Sequence, residues 1–470
     1  MTVREAIQQV KGFRFMVEQL ELCSPVGRRY LFDTSWFNSK TLLEEELECI
    51  AHVIKWLEKS ENKTLIEGIE NKLMQIRDIR GTVKRTALAT VLDDLELFEL
   101  KHFALLVEDI REIVKIWSWI QLPDLGPVVE LLSPDGQRMP HFYVYDAYSL
   151  ELREIRLQLK QATQECRKEE EIEALYSQSL ELENRVREDL SARLHTFYEE
   201  LTQALESIGW LDVILAKAKL AGKYGLVRPV IQENKWFVEG MFHPQIQTIL
   251  EQEGGSFQAV DLQLEKEATI ITGANMAGKT VLLKSIQLLQ YLMQFGFYVS
   301  AKQAKLPMVE EVFTSIGDEQ DELNGLSSFA AEMLRVNEMI KRVGTGEVLV
   351  LIDELARTTN PMEGRAIVNG VVEFLSSHQV RAIITTHYSG ITAKCRKMRV
   401  KGFVENRVEK KVTLKNINEF IDYSLEEDHQ EEVPQEALRI AGILGVDRSL
   451  LQRIETYLQE STPCKVKEIQ

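Results

Sequence analysis

The chain runs to 470 residues, 44% hydrophobic and 27% charged, and its 73 acidic against 56 basic residues leave a formal net charge of −17. That length predicts about two to four domains; no apolar run approaches the ~18 residues of a membrane span, and the mixed N-terminus MTVREAIQQVKGF lacks the apolar stretch of a secretory signal. Five scattered cysteines without CxxC spacing (Cys23, Cys49, Cys166, Cys395, Cys464) exclude a disulfide framework and point to reduced thiols and the cytoplasm, while the negative total is the reverse of the basic stripe that grips nucleic acid.

In chain order, residues 1 to about 121 predict helix after helix. TLLEEELECIAHVIKWLEK and LELFELKHFALLVEDIREIVKIWSWI place apolar residues three and four apart, the mark of an amphipathic helix. Pro123, Gly126 and Pro127, then Ser133-Pro134-Asp135-Gly136, punctuate the pattern. A second helical stretch, from about Leu150 to Leu220, has no proline and only Gly209 as glycine. Between Lys160 and Glu206 it carries 12 acidic and 6 basic residues, a net of −6, and reads as a long, solvated, coiled-coil-like helix or hairpin.

Near residue 225 short β-branched runs begin to alternate with helices: ATIIT before VLLKSIQLLQYLMQF, EVLVLI before a helix from about Glu363, then QVRAIITT followed by mixed turns. That alternation predicts a buried, mostly parallel sheet. A final helical pair, PQEALRIAGILGVDRSLLQRIETYLQ, breaks at Gly445 as a helix-turn-helix would, and the tail STPCKVKEIQ is expected to fray. The expectation is an α+β multidomain chain: an all-helical core or lever domain over 1–224, a P-loop α/β domain over 225–425, and a C-terminal helix-turn-helix dimerisation segment over 426–470.

The strongest chemical signal is Gly273, Ala274, Asn275, Met276, Ala277, Gly278, Lys279 and Thr280, which fits G-x-x-x-x-G-K-[ST] between the strand ATIIT and the helix VLLKSIQLL. The glycines let successive N–H groups and the helix N-terminus face a phosphate. Lys279 then reaches the β- and γ-phosphates of ATP, and the Thr280 hydroxyl completes a Mg²⁺ shell. About 75 residues on, VLVLI ends in Asp353 and Glu354. A carboxylate there supplies the second Mg²⁺ contact, and the following Glu orients the attacking water, so hydrolysis as opposed to binding rests on Glu354. His387 ends RAIITT, at the carboxyl end of a strand where ligands bind; it is either a satisfied strand-end residue or a γ-phosphate sensor that holds the water. The acidic loop from Ile316 runs into a helix opened by Ser327 and Ser328, which serve either as an ordinary N-cap or as a helix N-terminus aimed at a partner subunit's γ-phosphate.

TGANMAGKT, IGDEQ…LSSFAAEM, LVLIDELARTTNPMEG and TTHYSGIT, in this order and spacing, resemble the four nucleotide-site motifs of the MutS family, and most nearly its second bacterial branch, whose longer members carry an Smr domain. The likeness continues upstream in LELCSPVGRRYL, LDVILAKAKLA, LVRPVI and FHPQI, and downstream in the closing helix pair. It implies that Asn275 helps hold the phosphates and the catalytic water, that Phe257 stacks on adenine, and that Ser327 reaches across a dimer interface to the other subunit's ATP. The LSGGQ signature of transporter ATPases is absent from the sequence.

Departures accompany the likeness. The family's P-loop usually reads G-P-N-M/T-G-G-K, whereas Ala274 and Ala277 stand here for Pro and Gly; backbone N–H groups remain, so phosphate binding should survive. Ala356 and Thr358 occupy positions where the family often has glycines. No mismatch-reading segment precedes the helical core, no Smr-like stretch follows residue 460, and the place of the family's β-containing DNA clamp is taken by acidic helix. Two functions follow. The resemblance implies a dimeric, DNA-binding ATPase of mismatch-repair type, with homo- and heterodimers both open. The acidic arm, which would repel a duplex, fits an ATP-driven remodeller of a protein partner, similar to the proteins that reactivate adenosylcobalamin-dependent amino-acid mutases.

Overall fold

The computed structural model describes residues 1–117, 119–273, 277–316, 328–344, 346–403, 420–428, 438, 441–442 and 445–461. They form a mixed helix-and-sheet molecule with two compact units. One unit comprises Met1–Arg4, Leu20–Ser35 and Glu48–Leu220; the other comprises Glu5–Gln19, Trp36–Leu47 and Ala221–Gln470.

The first unit is built of helices, with no β-strand among its described residues beyond an isolated bridge between Thr2 and Ser35. Its helix Asp94–Val114 starts where Asp93 and Glu96 cap each other's backbone N–H groups, and it buries Leu97, Leu100, Phe103, Ala104, Val107 and Ile110 at three- and four-residue spacing. The acidic stretch forms a hairpin of helices Leu150–Gln164 and Glu169–His195. Arg156 bridges the hairpin to Glu183 at 2.8 Å, and Arg187 binds Asp94 in bidentate fashion at 2.7 and 3.1 Å. The helix Tyr198–Tyr224 follows, so that, as the composition predicts, residues 150–224 contain no strand.

Asp212 on that long helix is 1% exposed and accepts hydrogen bonds from the backbone N–H groups of Cys23 and Ser24 (3.0 and 2.8 Å) and from the Ser24 hydroxyl (2.6 Å). Two sequence-distant stretches, LELCSPVGRRYL and LDVILAKAKLA, are thus joined through one buried carboxylate.

The second unit contains ten strands among its described residues: β1 (Val230–Ile231), β2 (Trp236–Met241), β3 (Val260–Leu264), β4 (Ala268–Thr272), β5 (Gln303–Leu306), β6 (Glu311–Ser315), β7 (Val348–Ile352), β8 (Arg381–Thr385), β9 (Arg396–Phe403) and β10 (Ile421–Glu427). A four-stranded sheet has the order β1-β5-β2-β3, and a six-stranded sheet the order β10-β9-β4-β8-β7-β6. In the larger sheet all neighbours are parallel except the β10–β9 pair. β4, β7 and β8 are buried at every position, which is why β7 reads as an unbroken apolar run and β4 and β8 as apolar runs interrupted by buried Thr269, Thr272, Arg381 and Thr385.

β9 and β10 were not legible in a stretch read as mixed turns. RKMRVKGF buries only Met398, Val400 and Gly402, alternating with charge, and its pairing to β4 and β10 decides its conformation. The expected boundary near residue 224 also did not anticipate that 5–19 and 36–47 group with the C-terminal unit. The reason is aromatic: Phe13 stacks on Phe295 at 5.0 Å, and Trp36 meets Tyr291 edge-on at 5.1 Å, both at the end of the helix Lys279–Gln294. Of the expected closing helix pair, Arg448–Ser461 is helical and Gly445 has φ +82°; most of the first member lies outside the described residues.

Candidate functional site

The loop between β4 and the helix Lys279–Gln294 is bounded by two glycines with positive φ, Gly273 at +149° and Gly278 at +74°. Gly278 is the N-cap of that helix and has no side chain to cap it, so the helix N-terminus faces the loop. Lys279 is 5% exposed, and its Nζ donates to the Gly273 carbonyl at 2.7 Å. Burial pushes its ammonium pKa below the usual lysine value, against the pull of Glu354 and Asp353. Ala277 is buried beside it, while Ala274, Asn275 and Met276 lie outside the described residues.

Asp353 follows β7 and is held from two sides. The Thr280 hydroxyl donates to its Oδ2 at 2.6 Å, and the Thr385 hydroxyl donates to its Oδ1 at 2.6 Å. The same Thr385 oxygen accepts the Glu354 N–H at 2.8 Å. The parallel register explains this meeting, because Ile352 pairs with Ile384 and the next residues along are Asp353 and Thr385. Glu354 has a left-handed φ of +50°, and its carboxylate pairs with Arg357 at 3.1 Å. His387 is exposed two residues beyond β8, its ring 4.2 Å from that of Tyr388.

Four residues at this site escaped the sequence reading. Thr385 could have been found as the hydroxyl ending a strand next to the Asp353 strand. Glu332 and Tyr388 left no such signal: the Glu332 carboxylate accepts the Ala356 N–H at 3.2 Å on both oxygens, and the Tyr388 hydroxyl donates to the Ala356 carbonyl at 2.7 Å. Burial raises the Glu332 pKa, while the Ala356 N–H, Arg335 and Arg357 pull it down. Tyr423 is the fourth, its ring so close to Gly278 that a Cβ there would sit 2.9 Å away.

Phe257 is half-buried beside Gln258, which donates to Asp422 at 2.7 Å and accepts the Tyr423 N–H at 3.1 Å. Ser327 lies outside the described residues, and Ser328 is the first residue of the helix Ser328–Arg342.

These side chains fit Mg²⁺-ATP by the chemistry of their donors. The Thr280 hydroxyl, in the first helical turn, donates to the Asp353 carboxylate at the carboxyl end of β7, and both are hard oxygen ligands. Among the described residues no three His, Cys, Asp or Glu side chains converge on a metal site, so a cation here would rely on substrate oxygens as Mg²⁺ commonly does. A buried lysine on the Gly273 carbonyl adds a cation that a phosphate oxygen can claim.

Residues 269–461 match the family model for MutS domain V. Among similar proteins, the endonuclease MutS2 of Thermus thermophilus is 37% identical over 222 residues, covering 47% of this chain and 29% of that protein. The endonuclease MutS2 of Carboxydothermus hydrogenoformans is 30% identical over 298 residues, covering 62% of this chain and 36% of its own length. The DNA mismatch repair protein MutS of an Exiguobacterium species is 34% identical over 206 residues, covering 43% and 24%. The chain thus spans about a quarter to a third of the length of these relatives. The matched stretch begins within the strand that leads into the glycine-bounded loop and carries Lys279, Asp353 and Thr385 with it, so this part of the chain is similar to domain V of the MutS family.

Proposed function

We propose that the chain is an ATP hydrolase of MutS type. The observation that carries this reading is Asp353 fixed between the Thr280 and Thr385 hydroxyls at 2.6 Å each, beside a buried Lys279. Lys279 exchanges the Gly273 carbonyl for the phosphates of ATP, and the N-terminus of the helix Lys279–Gln294 shares their charge. Mg²⁺, held by Thr280 and Asp353, would neutralise charge developing on the γ-phosphoryl group. Glu354 orients a water and accepts its proton as the water oxygen bonds to the γ-phosphorus and the β–γ bridge opens, releasing ADP and phosphate. Asn275 and His387 assist that water, Phe257 and Tyr423 border the adenine, and Ser327 and Ser328 serve the ATP of a second subunit. The test is ATP turnover alongside equilibrium nucleotide binding. Glu354→Gln should keep ATP binding and lose roughly 10²-fold or more in turnover; normal turnover in this variant overturns the assignment.

Two relatives' names, DNA mismatch repair protein and endonuclease, support DNA as what the motor acts on; the dimer whose closure follows ATP is part of this proposal. A second reading is favoured by one observation: helix Glu169–His195 opens on three consecutive glutamates, Glu169, Glu170 and Glu171, all exposed. A surface of that charge suits a protein client, such as an adenosylcobalamin-dependent amino-acid mutase, better than a phosphate backbone. Turnover measured with and without duplex, mismatched and branched DNA separates the two. Stimulation by DNA supports the first, and turnover indifferent to every DNA supports the second.

A further inference from the structure

The segment that presents Glu354 has an uncommon backbone. Glu354 and Ala356 both adopt left-handed φ, +50° and +61°, and neither is glycine. A residue with a Cβ resists that region, so something must hold it there. Leu355 between them is fully buried and cannot swing out. The peptide groups flanking the Ala356 Cα are gripped on opposite sides. Its N–H is taken by both oxygens of Glu332, on the helix Ser328–Arg342, at 3.2 Å, and its carbonyl accepts the Tyr388 hydroxyl at 2.7 Å. Tyr388 is itself seated over Gly364, where a Cβ would fall 2.3 Å from its hydroxyl oxygen. Upstream, the Glu354 N–H is fixed by Thr385. Side chains thus hold the Glu354 N–H and the N–H and carbonyl of Ala356, and Glu332 brings its hold from the helix Ser328–Arg342.

We propose that Glu332 is a positioning residue: by holding the Ala356 N–H it keeps a non-glycine residue left-handed, aims the Glu354 carboxylate, and ties that carboxylate to the helix Ser328–Arg342. A movement of that helix would then reach Glu354 through one peptide group, which makes the Glu332–Ala356 contact a regulatory joint of the hydrolytic site. The inference rests on the ATPase reading for its kinetic consequence, but not for its conformational one. Glycine adopts positive φ at no steric cost, so an Ala356→Gly replacement should make the turn less dependent on Glu332.

The experiment measures ATP turnover, equilibrium ATP binding and amide hydrogen exchange over residues 353–357 in the full chain carrying Glu332→Ala, Glu332→Gln, or Glu332→Ala with Ala356→Gly. In Glu332→Ala we expect turnover to fall about tenfold to a hundredfold, ATP affinity to stay within about threefold, and exchange over 353–357 to quicken. Glu332→Gln keeps an acceptor for the Ala356 N–H and should recover most of the activity. Ala356→Gly in the Glu332→Ala background should recover at least about threefold in turnover, because it removes the steric resistance to the left-handed turn. Unchanged turnover and exchange in Glu332→Ala would overturn the proposal. So would equal losses of binding and turnover that Ala356→Gly does not relieve, since Glu332 would then be merely structural. If the wild type binds ATP but never hydrolyses it, the ATPase reading fails, and exchange over 353–357 alone decides the joint. If Glu332→Ala does not fold, Glu332→Met, which fills the same volume without an oxygen acceptor, takes its place: slowed turnover with unchanged binding and quickened exchange supports the joint, and wild-type turnover and exchange overturn it.

Discussion

Thr385 shows how much one hydroxyl can organise. It donates to Asp353 at 2.6 Å and accepts from the Glu354 N–H at 2.8 Å, so Thr385→Val leaves a carboxylate oxygen and an amide without their partner. We expect about 1–3 kcal/mol of lost stability in urea unfolding and a clear fall in ATP turnover; a Thr385→Ser variant, which keeps the hydroxyl, should recover both. His243 makes a pH-dependent counterpart away from the phosphate loop. It is 3% exposed, its Nδ1 has no partner, a Cβ on Gly12 would press within 2.8 Å of its ring, and burial beside the Lys284 charge pushes its pKa from 6.5 down to about 4. Between those values the unfolded chain takes up a proton that the folded chain refuses. Stability should therefore fall as pH drops from 6.5 towards 4, by up to about 3 kcal/mol. Comparing urea midpoints of the wild type and His243→Leu at pH 7 and pH 4.5 checks this; the variant should lose the smaller amount on acidification.

At the scale of elements, carboxylates and rings fasten segments far apart in sequence. Asp212 on the helix Tyr198–Tyr224 receives two backbone N–H groups and the Ser24 hydroxyl, the same hydroxyl that caps the helix Pro25–Asp33 through the Gly27 N–H at 2.9 Å. Gly27 lies so close that a Cβ would sit 2.1 Å from the Asp212 carboxylate. Asp212→Ala should cost about 2–4 kcal/mol in urea unfolding by stranding buried donors, and Gly27→Ala should destabilise by forcing the carboxylate off them. These helices were legible in the sequence because their apolar positions repeat every three or four residues. Their anchoring was not: nothing in LELCSPVGRRYL names the aspartate almost two hundred residues away that satisfies its backbone. The same holds for β9, whose alternation was too interrupted by lysine and arginine to separate from turns.

For the whole molecule the decisive quantity is charge. With a net −17 and an acidic helical hairpin, long-range electrostatics oppose a DNA duplex unless basic side chains gather locally. If the chain acts on DNA as its mismatch-repair relatives' names indicate, DNA-stimulated turnover should collapse steeply between about 50 and 200 mM salt, each phosphate contact adding to the slope. If it acts on a protein, added DNA should leave turnover unchanged at every salt concentration. No helix among the described residues is long and apolar enough to cross a membrane.

The sequence by itself determined the parts whose information is local: the amphipathic helices, the buried, mainly apolar strands β4, β7 and β8, and the glycine-bounded loop that leads into Lys279 and Thr280. Each of those follows from residue spacing over a dozen positions or fewer. Only the tertiary structure decided which residues stand around Asp353 and Ala356, because Thr385, Glu332, Tyr388 and Tyr423 arrive there by strand register and helix packing. It likewise decided that Phe13 and Trp36 join the C-terminal unit, since an aromatic cluster is a property of surfaces brought together, and chain order carries no record of it.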